Sequence, residues 1–207
     1  PSGLAHYPGT GFGDRLKDTF LVCDFGGQAG NSGVRSFRLE AEGAFYKLAD
    51  QSDLIWNMRA TDVAFGPDGA IYVSDWAGEW DGSGKGRVYR VTDPQHRDTK
   101  RVKQTEQTLQ SDWSSLGTEV LRDHLGHSDR RVRLEAQWQL ARRGQVDALL
   151  QMALDVQAGQ LKRLHAIWGA DQIARLDQEA RGPILEALRP LLSDERATIR
   201  AAIAKVA

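Results

Sequence analysis

The sequence predicts a β + α multidomain protein, in which a partial β-propeller of about two blades is followed by an α-solenoid. Three observations support this fold class: a change in composition near Asp93-Pro94, a repeat of about 50 residues before it, and a repeat of about 30 residues after it. We therefore place the C-terminal blades of a propeller at residues 1–94, a linker at 95–112 and helical repeats at 113–207.

The two parts differ in composition. Residues 1–94 contain all six Phe, all four Tyr and 15 of the 21 Gly, whereas residues 95–207 are rich in Ala, Leu, Arg, Glu and Gln. Aromatic and Gly-rich sequence with short apolar runs is typical of strands and turns, and the second composition favours helices. The segment 95–112 between them is polar, which suits a connection on the surface.

Turn residues divide the first part into six predicted strands, at 20–25, 34–40, 44–48, 62–65, 70–76 and 87–91. The clearest turn is Gly66-Pro67-Asp68-Gly69, in which proline sets φ at the second position and the last glycine adopts the left-handed conformation. This turn predicts that strands 62–65 and 70–76 are antiparallel neighbours.

An internal repeat relates two units of about 50 residues. Residues 20–25 (FLVCDF) match 71–76 (IYVSDW) at an offset of 51, and residues 35–39 (RSFRL) match 87–91 (RVYRV) at an offset of 52. Repeated antiparallel units predict propeller blades, and a closed ring needs about four or more. Because residue 1 is Pro and the C-terminus falls in a helix-like pattern, we expect an internal fragment whose missing blades lie upstream.

The second part repeats with a shorter period. Residues 133–138 (RLEAQW) recur as 163–168 (RLHAIW) at an offset of 30, with apolar positions at helical spacing. The pairs Ser128-Asp129 and Ser193-Asp194 are predicted N-caps, and Pro183 is predicted in the first turn of a helix. Paired helices at this period predict an α-solenoid.

Charge and composition exclude several protein classes. The 27 Lys and Arg nearly balance the 28 Asp and Glu, so no bulk electrostatic field attracts nucleic acid. No apolar run approaches the roughly 18 to 20 residues of a membrane-spanning helix. A single cysteine, Cys23, excludes a disulfide framework, a Cys-rich zinc module and the attachment motif of a c-type haem. We therefore expect no nucleic-acid partner, no membrane span and no haem on this segment.

Residues 60–76 (ATDVAFGPDGAIYVSDW), together with 3–9 (GLAHYPG) and 84–94 (GKGRVYRVTDP), carry a family resemblance. They resemble the closing propeller blades of the membrane-bound dehydrogenases of planctomycete and verrucomicrobial type, which are related to soluble quinoprotein sugar dehydrogenases. Residues 127–144 (HSDRRVRLEAQWQLARRG) resemble the HEAT-type repeats that follow the propeller in that family. The resemblance covers most of the chain.

The resemblance implies a secreted or periplasmic protein that oxidises a sugar or an alcohol with pyrroloquinoline quinone (PQQ) and calcium. Because the family's catalytic His lies in earlier blades, we expect the fragment alone to be inactive, and its catalytic residues are unassigned. The alternative is a non-enzymatic scaffold in which the propeller recognises carbohydrate or protein, while the HEAT-like repeats dock a partner protein.

Candidate binding residues lie where the strands of a propeller would reach its channel. The candidate cofactor-binding residues are Arg59, Thr61 and Asp62. An Arg pairs with an anionic quinone, and an Asp orients a sugar hydroxyl or binds calcium. The alternative is that Arg59 and Asp62 satisfy backbone groups of their own loop.

The loop after strand 70–76 is rich in oxygen ligands and aromatic rings. Its candidate calcium ligands are Asp75, Glu79 and Asp81, although their spacing differs from that of an EF-hand. Trp76 and Trp80 are candidates for a platform on which a sugar ring stacks, with burial between blades as the alternative. Because Asp75 and Asp24 occupy equivalent positions in the repeat, we expect both to accept backbone hydrogen bonds.

A basic stretch lies in the first predicted helical repeat. Its members are Arg130, Arg131, Arg133, Arg142 and Arg143, with Asp129 and Glu135 among them. We expect a solvated helix face with weak ion pairs, and the alternative is a surface that docks a partner protein.

Overall fold

The computed structural model describes residues 1–78 and 84–206, and the chain divides into two compact units, Pro1–Gln110 and Ser111–Ala207. Within the described residues, the first unit contains every β-strand and one α-helix, and the second unit contains the remaining helices. The predicted calcium ligands Glu79 and Asp81 and the predicted stacking residue Trp80 lie outside the described residues.

Seven strands form two antiparallel sheets in the first unit. They are β1 (Leu4–His6), β2 (Thr19–Asp24), β3 (Gly33–Glu42), β4 (Phe45–Trp56), β5 (Ala60–Phe65), β6 (Ile71–Asp75) and β7 (Arg87–Val91). The first sheet has the strand order β1-β2-β3-β4 and the second has the order β5-β6-β7. Each sheet is therefore a meander in which strands adjacent in the sequence pair with each other.

The predicted fold class, a partial propeller followed by an α-solenoid, is wrong. The described residues form two small open sheets of four and three strands together with seven α-helices, which is a mixed α and β architecture. The repeat of about 50 residues has a simpler origin, because β2 and β6 are each the second strand of a meander and β3 and β7 are each the third. Two similar meanders produce this periodicity without a radial array of blades.

The hairpin at residues 66–69 is confirmed. Strand β5 pairs with β6 in antiparallel fashion, Phe65 lies opposite Ile71, and Gly69 has a φ of 73°. The backbone N–H of Gly66 donates to the carbonyl of Ala70 at 2.9 Å and closes the turn. Gly11, also at positive φ, lies so close to Gly69 that a Cβ at this point would collide with the backbone of Gly69.

Strand β4 continues to Trp56, eight residues beyond the end of the predicted strand 44–48. Residues 49–53 (ADQSD) of this extension are polar and lack the apolar alternation from which strands are predicted, whereas Leu54 and Ile55 pack against the core. Side chains on β3 hold it instead, since Arg35 pairs with Asp53 at 2.7 Å and the hydroxyls of Ser36 and Ser52 lie 2.8 Å apart. Cross-strand polar pairs therefore extend the strand.

Nearer its tip, the β3–β4 hairpin is exposed. Arg38 pairs with Asp50, and Lys47 pairs with Glu40 at 3.4 Å, and all four side chains are about half exposed. The other face of the hairpin is apolar and solvent-exposed, and it carries Leu39, Tyr46 and Leu48.

A single buried cluster joins the two sheets of the first unit. It contains Tyr7, Phe12, Leu16, Leu21, Cys23, Val34, Met58, Ala60, Val63, Ile71 and Val73. Alternate residues of β2 and β6 face this cluster, as expected for strands with one buried face. The Tyr7 hydroxyl accepts a hydrogen bond from the backbone N–H of Phe12 at 3.0 Å, which fixes the segment before the short 3₁₀-helix Gly13–Leu16.

Helix α1 (Lys100–Gln110) ends the first unit and lies within the segment 95–112, for which we predict a linker. The helix buries Val102 and Thr105. The guanidinium of Arg101 donates to the carbonyl of Gly9 at 2.9 Å. These contacts attach α1 to the first unit.

The second unit consists of helices. They are α2 (Thr118–His124), α3 (Arg130–Arg142), α4 (Val146–Leu154), α5 (Gln160–Leu176), α6 (Gln178–Leu188) and α7 (Ala197–Val206). The predicted cap at Asp129 is confirmed, since it directly precedes α3 and its carboxylate accepts the backbone N–H of Arg131 at 2.9 Å. The cap predicted at Asp194 is wrong: its carboxylate accepts the backbone N–H of Arg196 at 2.9 Å, but α7 begins only at Ala197. The position predicted for Pro183 is wrong, because α6 begins five residues before it.

Buried polar groups join the helices of the second unit. Arg163 is only 1% exposed; its Nε donates to the carbonyl of Ala153 at 2.9 Å and its Nη2 to the carboxylate of Asp194 at 2.5 Å. His165 is buried between Arg133 and Gln137. Arginine only donates, so Nε2 of His165 accepts from Arg133 at 3.2 Å and its Nδ1 donates to Gln137 at 2.8 Å.

The basic stretch at 130–143 has a different role from the one predicted. Arg133 is buried and donates to the carbonyls of His127 and Ser128 at 2.6 and 3.0 Å. Arg143 donates to the carbonyls of Leu116 and Trp113, both at 2.6 Å. The expectation of a solvated face is therefore wrong for these two arginines, which bind backbone carbonyls of the segments that precede α3 and α2.

Candidate functional site

Most of the residues predicted to bind ligands lie together at one end of the second sheet. We call this surface the strand-end site; it consists of Arg59, Thr61, Asp62, Ser74, Asp75, Trp76 and Arg87. It lies where β5 begins, β6 ends and β7 begins. The antiparallel register accounts for the convergence, because Asp75 lies opposite Ala60 on one side and opposite Arg87 on the other.

An irregularity in the β5–β6 pairing directs Thr61. The register shifts between Ala60 and Asp62, so Thr61 is the extra residue of a β-bulge. Its hydroxyl lies 2.8 Å from the Ser74 hydroxyl and 3.3 Å from the Ser74 carbonyl oxygen. The bulge therefore places two hydroxyl groups side by side at the surface of the sheet.

Asp75 has a structural role at this site. It is 9% exposed, and its Oδ1 accepts the backbone N–H of Arg59 at 2.9 Å. The carbonyl of Arg59 in turn accepts the backbone N–H of Trp76 at 2.9 Å. This pair of bonds closes the loop before β5, in which Asn57 has a positive φ of 63°. Asp75 thus accepts a backbone hydrogen bond, as expected from the repeat.

Arg59 and Asp62 each have polar side-chain atoms that are available to bind a ligand. The guanidinium of Arg59 is half-buried and has no hydrogen-bond acceptor among residues 1–78 and 84–206. Asp62 is exposed; its Oδ1 accepts the adjacent backbone N–H of Val63 at 2.9 Å, and its other oxygen has no donor within the described chain. Gly3 lies against Asp62, where a Cβ would collide with the carboxylate.

Trp76 and Arg87 complete the surface. The Trp76 side chain is 40% exposed. Arg87 donates to the Tyr89 hydroxyl at 3.3 Å; this hydrogen bond raises the pKa of the guanidinium, and the nearby charges of Tyr89 and Asp75 raise it further. The site therefore combines an indole, two guanidinium groups, one exposed carboxylate and two hydroxyls.

Of the three candidate calcium ligands, only Asp75 lies within the part of the chain that the structure describes. One oxygen of its carboxylate holds the loop backbone. The described residues contain no group of three or more His, Cys, Asp or Glu side chains that could hold a metal ion.

The equivalent aspartate of the first sheet has a different environment. Asp24 accepts a hydrogen bond from Nε of Arg35 at 2.8 Å, rather than from the backbone. The same arginine pairs with Asp53 and lies over the ring of Trp56, 4.6 Å from its centroid. The expectation that both aspartates of the repeat bind backbone groups therefore holds for Asp75 and is wrong for Asp24.

Cys23 is not placed for nucleophilic chemistry. It is fully buried in the core of the first unit. Burial raises the pKa of its thiol to about 11, and the nearby carboxylate of Asp62 adds to the increase. A thiol with this pKa is almost entirely protonated at neutral pH, so it is a weak nucleophile.

One polar cluster in the first unit is not predicted by any sequence pattern. Asp93 and His96, whose side chains lie 3.0 Å apart, form a pair beside Arg15 at the opposite end of the second sheet. The pattern Asp93-Pro94 is typical of a turn in which the Asp side chain binds its own backbone, and its Oδ1 does accept the Gln95 N–H at 2.9 Å. The sequence contains this turn signal but gives no sign that Arg15 is nearby.

None of the helices described is both long and apolar enough to span a membrane. Comparison with known proteins finds no matching family model, no similar curated protein and no similar solved structure.

Proposed function

We propose that this chain contributes to a secreted or periplasmic oxidoreductase that oxidises a sugar or an alcohol, and that the strand-end site binds this substrate. The observation that carries the proposal is the convergence of Arg59, Thr61, Asp62 and Trp76 at one sheet end. The resemblance of residues 60–76 to quinoprotein-type dehydrogenases supports the substrate class.

The chemistry of the site suits a polyol. A pyranose ring presents a flat face of C–H groups, which packs on an exposed indole such as that of Trp76. Its hydroxyl groups donate to a carboxylate and accept from a guanidinium, and Asp62 and Arg59 keep such atoms without protein partners in the described residues. The paired hydroxyls of Thr61 and Ser74 act as donors or acceptors beside them.

The proposal includes a quinone cofactor only because the charges of the site suit one. PQQ is an anion, and Arg59 and Arg87 are the guanidinium groups at this end of the sheet. The proposal assigns no catalytic residue to this chain.

A non-enzymatic carbohydrate-binding scaffold is the second candidate function. It is favoured by the structural role of Asp75 and by the hydrogen bonds of Thr61, since two residues predicted for metal and cofactor chemistry are engaged within the sheet. The two candidates share the same binding surface and differ only in redox turnover.

A calorimetric titration of the full chain with monosaccharides tests the site. We expect Trp76→Ala and Asp62→Asn each to weaken sugar binding about tenfold or more. The first variant loses the main contact with the sugar ring, and the second loses a charge-assisted hydrogen bond. Trp138→Ala is the matched control, because Trp138 is 36% exposed in the second unit. Equal affinity of Trp76→Ala and the wild type would exclude the strand-end site.

Addition of PQQ distinguishes the two candidates. The oxidoreductase proposal expects quinone binding that weakens in Arg59→Gln, measured by the visible absorption of PQQ during titration. Sugar binding without any quinone binding would favour the scaffold.

A further inference from the structure

A small cavity lies in the first unit, at the end of the second sheet opposite the strand-end site. Its volume is about 140 Å³, and it opens beside the 3₁₀-helix Gly13–Leu16. Its apolar lining consists of Phe12, Leu16, Leu54, Ile55, Ile71 and Val91. Strand β6 therefore begins beside the cavity, at Ile71, and ends in the strand-end site, at Asp75.

The rim of the cavity is polar and includes Asp93 and Arg15. Both oxygens of Asp93 are occupied: Oδ1 accepts the Gln95 N–H at 2.9 Å and Oδ2 lies 3.0 Å from Nδ1 of His96. These two hydrogen bonds lower the pKa of Asp93 and occupy both of its oxygens within the protein. Gly13 has a positive φ of 56°, and a Cβ there would collide with the His96 ring.

Arg15 is the charge at the rim that forms no hydrogen bond and no ion pair within the described residues. Its side chain is exposed, and no carboxylate or carbonyl of the described chain accepts a hydrogen bond from it. It is near enough to Asp93 to lower the pKa of that carboxyl group further. A guanidinium at the mouth of an apolar cavity is suited to a ligand with one anionic end and one apolar end.

We propose that this cavity binds a small carboxylate whose apolar part is one aromatic ring or a short branched alkyl chain. The apolar walls receive the hydrocarbon part, and Arg15 forms a bidentate pair with the carboxylate. The volume of the cavity limits the size of the ligand's apolar part, because a cavity of roughly 150 Å³ accommodates benzene. A sugar does not fit this site, since its hydroxyl groups would lose their hydrogen bonds against the apolar walls.

Titration of the full chain with benzoate and with isovalerate, followed by ligand-observed NMR, tests the proposal. We expect saturable binding of both acids, with benzyl alcohol and benzylamine at least tenfold weaker. Arg15→Gln should weaken benzoate binding about tenfold or more, because it removes a charge-assisted pair. Arg97→Gln is the matched control, since Arg97 is also exposed but pairs with Asp98 at 3.0 Å.

A second variant tests the cavity itself. Val91→Phe fills part of the apolar space, so benzoate binding should be lost while circular dichroism shows an intact fold. If this variant does not fold, Arg15→Gln still decides, because Arg15 is exposed and its side chain makes no described hydrogen bond.

Three results would overturn the proposal: no saturable benzoate binding by the folded wild type, equal binding of benzyl alcohol and benzoate, or equal effects of Arg15→Gln and Arg97→Gln. Trp76→Ala should leave benzoate affinity unchanged, so failure of the strand-end site and failure of this cavity are distinguishable.

Discussion

The carboxylate of Asp75 and the backbone N–H of Arg59 form a hydrogen bond of 2.9 Å, which connects the end of β6 to the loop before β5. The Arg59 carbonyl in turn accepts the Trp76 N–H, so the backbone of Arg59 is held to β6 from both sides. A residue predicted to bind calcium therefore positions a residue predicted to bind a cofactor.

Replacement of Asp75 tests that role. Asp75→Ala leaves the Arg59 N–H without its acceptor in a partly buried position, so we expect the free energy of unfolding to fall by about 1 to 3 kcal/mol. Asp75→Asn keeps an oxygen acceptor and should lose less. Urea denaturation measures both, and equal stability of Asp75→Ala and the wild type would contradict the structural role.

The Arg163–Asp194 pair should contribute strongly to the stability of the second unit. Asp194→Ala leaves the guanidinium of Arg163 buried without its carboxylate, with an expected loss of about 3 to 5 kcal/mol. Glu186→Ala is the control, because Glu186 and Arg189 are both more than 70% exposed and such pairs contribute about 0 to 1 kcal/mol. Similar losses for the two variants in thermal denaturation would argue against a buried ion pair.

Acid should destabilise the second unit through His165. Burial, followed by the charges of Arg133 and Arg130, lowers the pKa of this imidazole from 6.5 to about 4 in the folded protein. Between pH 6.5 and pH 4 the unfolded chain therefore binds more protons than the folded protein. The free energy of unfolding is unaffected by His165 above pH 6.5 and decreases as the pH falls toward 4, by up to about 3 kcal/mol. His165→Gln should flatten the dependence of unfolding free energy on pH, and an unchanged profile in this variant would contradict the assignment.

Cys23 should be unreactive while the protein is folded. Its buried thiol, with a pKa of about 11, presents almost no thiolate at pH 8. We expect no reaction with a thiol-specific chromogenic reagent under native conditions and one equivalent of reaction in denaturant. Rapid labelling of the native protein would show that the core of the first unit opens readily.

Local sequence patterns predict much of the first unit. Apolar alternation and the turn at residues 66–69 predict strands at six of the seven observed positions. They miss β1, which has three residues, and the second half of β4, whose polar residues 49–53 depend on partners such as Arg35 on the neighbouring strand. Strand pairing across a sheet is a tertiary contact, and the sequence of one strand does not contain it.

The same distinction applies to the fold class and to the sites. The repeat correctly indicates two similar meanders, but their number and closure depend on how sheets pack, which a repeat of two units does not determine. The strand-end site follows from antiparallel pairing of neighbouring strands. The cluster of Arg15 with Asp93 joins residues far apart in the sequence, so no local pattern predicts it.

The exposed ion pairs near the tip of the β3–β4 hairpin should let the tip open locally. Arg38–Asp50 and Lys47–Glu40 are solvated, so salt screens them, whereas β2 is held by buried apolar side chains. The outer half of the hairpin should therefore separate while the remainder of the unit stays folded. Amide hydrogen exchange at Tyr46 and Leu48 should become faster at high ionic strength, and the rates at Leu21 and Cys23 should not change.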